Sequence, residues 1–448
     1  MDDMHKTKKA KLANQDDIAT ISQGMHLNKL ANIPYYNQIK SVCLKEFITT
    51  LQPKLSYHFT FYASESFLDE IYANYKIGLE NTTLIIGVGR DIIKAVKEQE
   101  HENKSIKRKY VPMEPYASHH CKLSIFFDHE NRPHVAIMTG NLEEDEWSSI
   151  TQALYYAKGE EKAHDYESSK DMFLIDLLQY LESGYKNQIF FEETIQPLMN
   201  NLKCWSFLHI KDRLIFSIYD TKIPKFMKDY SINKIKLLLE ENKEKLREIS
   251  YFVVQCSSIG FMGISERKWL IDRFLKNITN GQLNSLNDLK IIYPSLDDVR
   301  NSINGYRNGN LFPYTKRNKE KQGKYINPCL HRWSSENLKR TLYLPHLKTY
   351  TAFDSNNEPI YQIVGSQNLS KAAWGEIDDY GTFVMKNYEI GVFTLDRKSM
   401  VIPYDIPLVK YQSDQQIWTG NESHMEPDCH GRIYVVSDDE ESFIQYIT

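Results

Sequence analysis

Ser118–Phe127 (SHHCKLSIFF) and Leu344–Phe353 (LPHLKTYTAF) carry one pattern twice, and their pairing decides the fold. In the first, His120-Cys121-Lys122 leads on to Gly140-Asn141-Leu142 and then Trp147. In the second, His346-Leu347-Lys348 leads on to Gln367-Asn368-Leu369 and then Trp374. The His-to-Asn separation is 21 in one and 22 in the other, and the Asn-to-Trp separation is 6 in both. Four unusual residue types recurring in order at matched spacing indicate an internal duplication. Each HxK opens a strand-like run, where residues i and i+2 face the same way, so each His projects with its Lys. A second strand candidate follows each run and leads to the Asn. Two halves packed about a pseudo-twofold axis would bring two His, two Lys and two Asn to one place.

The flanking sequence alternates strand-like and helix-like segments. Strands are expected at Thr82–Gly87, Lys122–Phe127, His134–Met138, Leu214–Tyr219, Tyr251–Gln255, Thr349–Phe353 and Ile360–Val364, with Leu289–Tyr293 left unassigned. Helices are expected at Ser66–Tyr75, over RDIIKAVKEQEH (Arg90–His101), and at Asp171–Leu181, Ile232–Arg247 and Lys268–Phe274. This alternation predicts an α/β class of two related α/β/α sandwiches with mixed sheets and the site at their interface. The expected division is a flexible tail over 1–30, an N-terminal domain over 31–200 and a C-terminal domain over 201–448. Two charged stretches, Lys104–Lys109 and Lys316–Lys324, read as loops. Lys8-Lys9-Ala10-Lys11 in the tail fits a short nuclear-import signal.

Composition narrows the class. The chain has 448 residues, 41% hydrophobic and 12% aromatic, which suits a sizeable folded core. No run of 18 apolar residues occurs, so no ordinary membrane-spanning helix is expected. Six scattered cysteines without a CxxC pair suggest a reduced intracellular protein. The net charge of −4 argues against wrapping long duplex DNA, and is compatible with gripping one phosphate and a few neighbours.

Paired His, Lys and Asn suit phosphodiester cleavage without a metal. Lysines and amides can hold the phosphoryl oxygens as charge develops. One imidazole can attack phosphorus while the other protonates the leaving oxygen and then activates water. Gly87-Val88-Gly89 lacks the third glycine of a dinucleotide-binding turn, where Ile92 stands instead. The clusters His119-His120-Cys121 and Cys429-His430 match no standard zinc spacing. Neither a metal nor a cofactor is expected.

With MTGNL (Met138–Leu142) and GSQNLSKAAWG (Gly365–Gly375), these motifs resemble the two HKN motifs of the tyrosyl-DNA phosphodiesterase family, a branch of the phospholipase D superfamily. The resemblance runs from about residue 40 to 436 and includes GFMGISERKWL, IIYPSLDDVRNSINGY, NYEIGVF and IPYDIP. Asn141 and Asn368 stand where the wider superfamily carries Asp, which separates this branch from lipases. The resemblance implies His120 as nucleophile, His346 as general acid and base, and Lys122, Lys348, Asn141 and Asn368 as phosphoryl ligands. It implies that Gln152 and Glu389 orient the imidazoles, each across the dyad. It further implies that Ser257, Ser258, Ser370 and Lys371 contact the DNA backbone, that Tyr116 packs on a base, and that Trp418 and His430 border the peptide. Trp147 and Trp374 read as core residues behind the Asn turns. The implied substrate is DNA with a 3′-phosphotyrosyl or other blocked 3′ end, above all the peptide of a trapped type IB topoisomerase, with a 3′-phosphate as product. A monomer without membrane association is expected, in the nucleus and with a mitochondrial location also open. Rival readings are a lipase or general nuclease of the superfamily, and an inactive duplicated domain that only binds nucleic acid.

Overall fold

The computed structural model describes residues 21–34, 37–38, 40–73, 79–94, 96, 106–223 and 228–436. Lys8–Lys11 and half of the helix expected over Arg90–His101 lie outside them.

The strands of the first sheet are β1 (Gly24–Asn28), β2 (Ser41–Val42), β3 (Leu55–Thr60), β4 (Thr82–Gly89) and β5 (Lys107–Met113), with β7 (Leu123–Phe127), β8 (Pro133–Met138) and β9 (Ala153–Lys158). Their order is β2-β1-β9-β8-β7-β3-β4-β5. The second sheet contains β10 (Arg213–Ser217), β12 (Tyr251–Gln255), β13 (Leu289–Ile292), β14 (Leu330–His331), β15 (Lys348–Phe353), β16 (Pro359–Gly365) and β19 (Asn387–Thr394). Its order is β10-β19-β16-β15-β12-β13-β14. A three-stranded sheet joins β11 (Asp220–Ile223), β18 (Phe383–Met385) and β17 (Glu376–Ile377).

The duplication is visible in the ladders. The run β9-β8-β7-β3-β4-β5 has three antiparallel pairings followed by two parallel ones, and β19-β16-β15-β12-β13-β14 repeats that series. The HxK strands β7 and β15 occupy the same place, third along each run. Both are buried throughout, so they read as near-continuous buried runs rather than alternating ones.

Two cross-connections weld the halves. The short strand β6 (Ser118–His119) leaves the first half to pair with β19, Ser118 opposite Asn387 and His119 opposite Tyr388. Its counterpart is the bridge between Thr151 and Pro345, where Thr151 N–H donates to Leu344 O and His346 N–H to Thr151 O. Gly87 permits the first crossing, because a Cβ there would stand 2.5 Å from Cβ of His119. A single apolar cluster runs through the join, containing Leu123, Ile125, Tyr155 and Leu177 with Leu347, Val364, Tyr388 and Ile390.

Three expectations need correction. The tail expected over 1–30 overlaps β1, whose five residues are all buried. Arg340, wholly buried in the second half, donates to Asn28 O and Oδ1, which ties that strand down. The stretch Lys316–Lys324 is not a loop but most of a helix, Lys316–Ile326. Thr315 caps it through Asn318 N–H, its residues are mostly good helix formers, and it buries Gln322, Tyr325 and Ile326. Lys107–Lys109, the described basic part of the other charged stretch, lies in β5. The remaining strand expectations agree within one or two residues.

Candidate active site

The ladder geometry gathers the repeated residues. His120 follows β6 and precedes β7, while His346 precedes β15. Each lysine folds back onto its own histidine's backbone: Lys122 Nζ donates to His120 O at 3.0 Å, and Lys348 Nζ to His346 O. Both lysines are fully buried. Burial pushes the Lys122 ammonium below its ordinary value and the Lys348 ammonium well below, with the nearby Lys122 charge adding to the second effect. Two such lysines, with no ion pair among the described residues, favour an anionic ligand between them.

Pairing register explains the two orienting residues. In the first sheet Met138, three residues before Asn141, pairs with Leu154. In the second, Gly365, three before Asn368, pairs with Gly391. Stepping back two residues along each partner strand reaches Gln152 and Glu389, so these are equivalent positions of the duplicated unit. Each serves the other half's histidine. Glu389 Oε2 stands 3.0 Å from His120 Nδ1, and Gln152 Nε2 3.0 Å from His346 Nδ1. Glu389 is buried and also accepts from Ser366 Oγ and from Asn387 Nδ2. Burial alone would raise its pKa, but His120, Ser366 and Lys122 hold it below the usual carboxylate range. Burial also lowers His120, opposed by Glu389, and pushes His346 down to about 4 with help from Lys348.

The asparagines are held by different means. Asn368 Oδ1 accepts from Ser257 N–H at 3.2 Å, Ser257 Oγ at 3.2 Å and Ser258 N–H at 3.0 Å, leaving Nδ2 as its donating end. Asn141 Nδ2 donates to Glu146 Oε1 at 2.6 Å, and its Oδ1 is buried without a partner among the described residues. Trp147 Nε1 donates to Asn141 O, and Trp374 is wholly buried against Tyr350, so both indoles support the core.

The outer residues divide. Tyr116 is 64% exposed in a left-handed conformation (φ 63°), at the rim of a cavity of about 520 Å³ that Phe61, Met113 and Ser118 also line. Phe61 itself lies 5.6 Å from the His120 ring. Ser370 caps the helix Lys371–Trp374, and Lys371 pairs with Glu376 at 2.8 Å. Ser257 is buried and spends its hydroxyl on Asn368. Trp418 is fully buried, donates to Gly309 O at 3.0 Å and packs on Tyr306. His430 lies at the surface, its Nε2 2.8 Å from Ile303 O.

Two residues with structural claims on the site escape sequence reading. Glu146, buried in the short helix Glu144–Ser148, touches His346, Asn141 and Gln152. Asn28, inside the expected tail, accepts from Gln152 N–H and donates to Trp147 O and Ile150 O, which fixes the loop leading into β9. Among the described residues no cluster of His, Cys, Asp and Glu could hold a metal ion, and no helix is long and apolar enough to cross a membrane.

A probable tyrosyl-DNA phosphodiesterase of Caenorhabditis elegans is 31% identical over 421 residues, covering 90% of each chain. Tyrosyl-DNA phosphodiesterase 1 of Drosophila melanogaster is 27% identical, covering 67% of this chain and 57% of its own. The crystal structure of the yeast tyrosyl-DNA phosphodiesterase superposes with a TM-score of 0.67 at 17% identity, covering 88% of this chain and all of that one, which supports a shared phospholipase D-like fold. The sequence model of the tyrosyl-DNA phosphodiesterase family matches residues 25–425, and with that span matched the chain belongs to this family of DNA-repair phosphodiesterases.

Proposed function

We propose that the chain hydrolyses the bond between a tyrosine and a DNA 3′-phosphate through a phosphohistidine on His120. The observation that carries the reading is the crossed pairing of the duplicated unit: a carboxylate from the second half on Nδ1 of His120, and an amide from the first on Nδ1 of His346. Each ring's Nε2 is thereby left for chemistry.

In the first step His120 Nε2 attacks phosphorus, forming P–N as the bond to the tyrosine oxygen breaks. The leaving phenolate takes a proton from His346 Nε2. In the second step His346 Nε2, now unprotonated, takes a proton from water as its oxygen attacks phosphorus. The P–N bond breaks, His120 is restored and a 3′-phosphate end is released. Glu389 holds Nδ1–H of His120 and compensates the positive charge that the ring acquires on forming P–N. Lys122, Lys348 and the Nδ2 groups of Asn141 and Asn368 supply positive charge to the equatorial oxygens. A diester anion entering between the lysines also raises the pKa of both histidines, so substrate itself favours the protonated His346 that departure of tyrosine needs. Exposed Tyr116 is available for a flanking base.

Turnover of a 3′-phosphotyrosyl oligonucleotide should exceed that of phosphatidylcholine by several orders of magnitude, and His120→Ala should abolish it. Faster lipid cleavage would overturn the reading in favour of a lipase. Unaltered behaviour of His120→Ala would leave a binding domain.

A further inference from the structure

We propose that Glu146 is the carboxylate that positions and charges His346, doing for that ring what Glu389 does for His120. The inference rests on the two-step reading above and deepens it.

Gln152 occupies the place of Glu389 in the duplicated unit but cannot take over its task. Glu146 sets its amide orientation. Gln152 Nε2 lies 3.1 Å from Glu146 Oε2, while Thr139 Oγ1, which accepts from Ala153 N–H, has both Gln152 Oε1 at 2.8 Å and Ala153 O at 3.3 Å as acceptors. A flipped amide would set an oxygen against a carboxylate. Gln152 therefore turns a donor towards Nδ1 of His346 and favours the tautomer with its proton on Nε2 alone. Both working forms of His346 need the opposite. The imidazolium that protonates tyrosine, and the base that activates water through Nε2, each carry hydrogen on Nδ1. The acceptor at hand is Glu146, with Oε2 3.1 Å from Nδ1.

The swap is visible in the repeat. Five residues after Asn141 comes Glu146; five after Asn368 comes Ala373. Each half thus contributes one carboxylate, from different positions, to one histidine. Glu146 is 4% exposed and accepts from Asn141 N–H at 2.9 Å and Nδ2 at 2.6 Å. Burial opposes its ionisation, yet His346 and Asn141 hold it at about 2, so it is an anion at working pH. The other charges facing His346 are Lys348 and Lys122, both of which disfavour its protonation, so Glu146 is the group that opposes them.

The test uses Glu146→Gln and Glu146→Asp in the full chain, with two oligonucleotides: one carrying 3′-phosphotyrosine and one a 3′-(4-nitrophenyl) phosphate, whose leaving group needs no proton. Glu146→Gln should lower kcat for the tyrosyl substrate by about 30-fold or more, the range of one charge-assisted hydrogen bond, with KM little changed. The burst of nitrophenolate should fall by less than about fivefold, because acid assistance is not required there. The alkaline limb of the tyrosyl pH profile should move down by about one unit, since the anion stabilising the imidazolium is gone. Glu146→Asp should restore part of both effects. Equal losses on the two substrates, or an unshifted alkaline limb, would overturn the positioning role and leave Glu146 a support of the Asn141 turn. Wild-type enzyme inactive on phosphotyrosine would instead sink the functional reading itself.

Discussion

Replacing Asn368 by aspartate separates the electrostatics of the site from its architecture. Oδ1 of Asn368 already accepts three hydrogen bonds from Ser257 and Ser258, and an aspartate oxygen accepts them equally well. Thermal stability should therefore be kept. Activity should not. The substitution removes the Nδ2 donor, worth about 2.7–4 kcal/mol in sites of this kind. It also sets a negative charge beside the phosphate, about 4 kcal/mol for unit charges about 4 Å apart at an effective dielectric near 20. Lys122 and Lys348 return part of that, so the expected loss in kcat/KM is at least about 10³-fold. Asn368→Ala inverts the pattern. It loses the donor alone, about 10²-fold in rate, but leaves the Ser257 and Ser258 amides without their acceptor, which costs about 2 kcal/mol or more of stability. The assay is cleavage of a 3′-phosphotyrosyl oligonucleotide beside a melting curve for each variant. An aspartate variant as active as the alanine variant, or one that melts lower, would refute the reasoning.

Other outcomes follow from buried groups. His58 is wholly buried between Ser124 and Tyr72, and burial pushes its pKa down to about 3 from an ordinary 6.5. The unfolded chain gains a proton there that the native chain refuses, so stability is full above pH 6.5 and falls by about 1.4 kcal/mol per unit as pH drops towards 3. His119 and His346, both lowered to about 4, add to the slope; His58→Gln should flatten it in melts between pH 6 and 4, and an unchanged slope would contradict the burial argument. Trp418→Phe should lower the melting temperature while leaving the ratio of rates on tyrosine and long tyrosyl-peptide substrates unchanged; a selective loss on the peptide would return Trp418 to the substrate path.

Much of the site was legible because the duplication prints each constraint twice. HxK on a strand, the Asn after the next strand and the Trp behind it recur at matched spacing, so residues that say little alone became informative in pairs. Gln152 and Glu389 were legible only through family resemblance, since their equivalence lies in strand register and their spacings from Asn differ. Glu146 left no such signal. Its importance comes from a short helix folding back on Asn141, and its repeat partner is an alanine. The expected tail concealed β1 because Asn28 and its neighbours are ordered by Arg340, more than 300 positions away in the chain. The basic run at Lys316 reads as solvated from charge alone, but it is solvated on only one face of a helix.

In the proposed mechanism His120 carries the DNA between the two steps and His346 moves the protons. Reacting His346→Asn with a 3′-phosphotyrosyl oligonucleotide, quenching at alkaline pH where a phosphoramidate survives, and mapping the peptides by mass spectrometry tests it directly. DNA phosphate is expected on His120 and absent from His120→Ala treated alike; DNA on His346 in His120→Ala, or turnover with no adduct on His120, would contradict the mechanism.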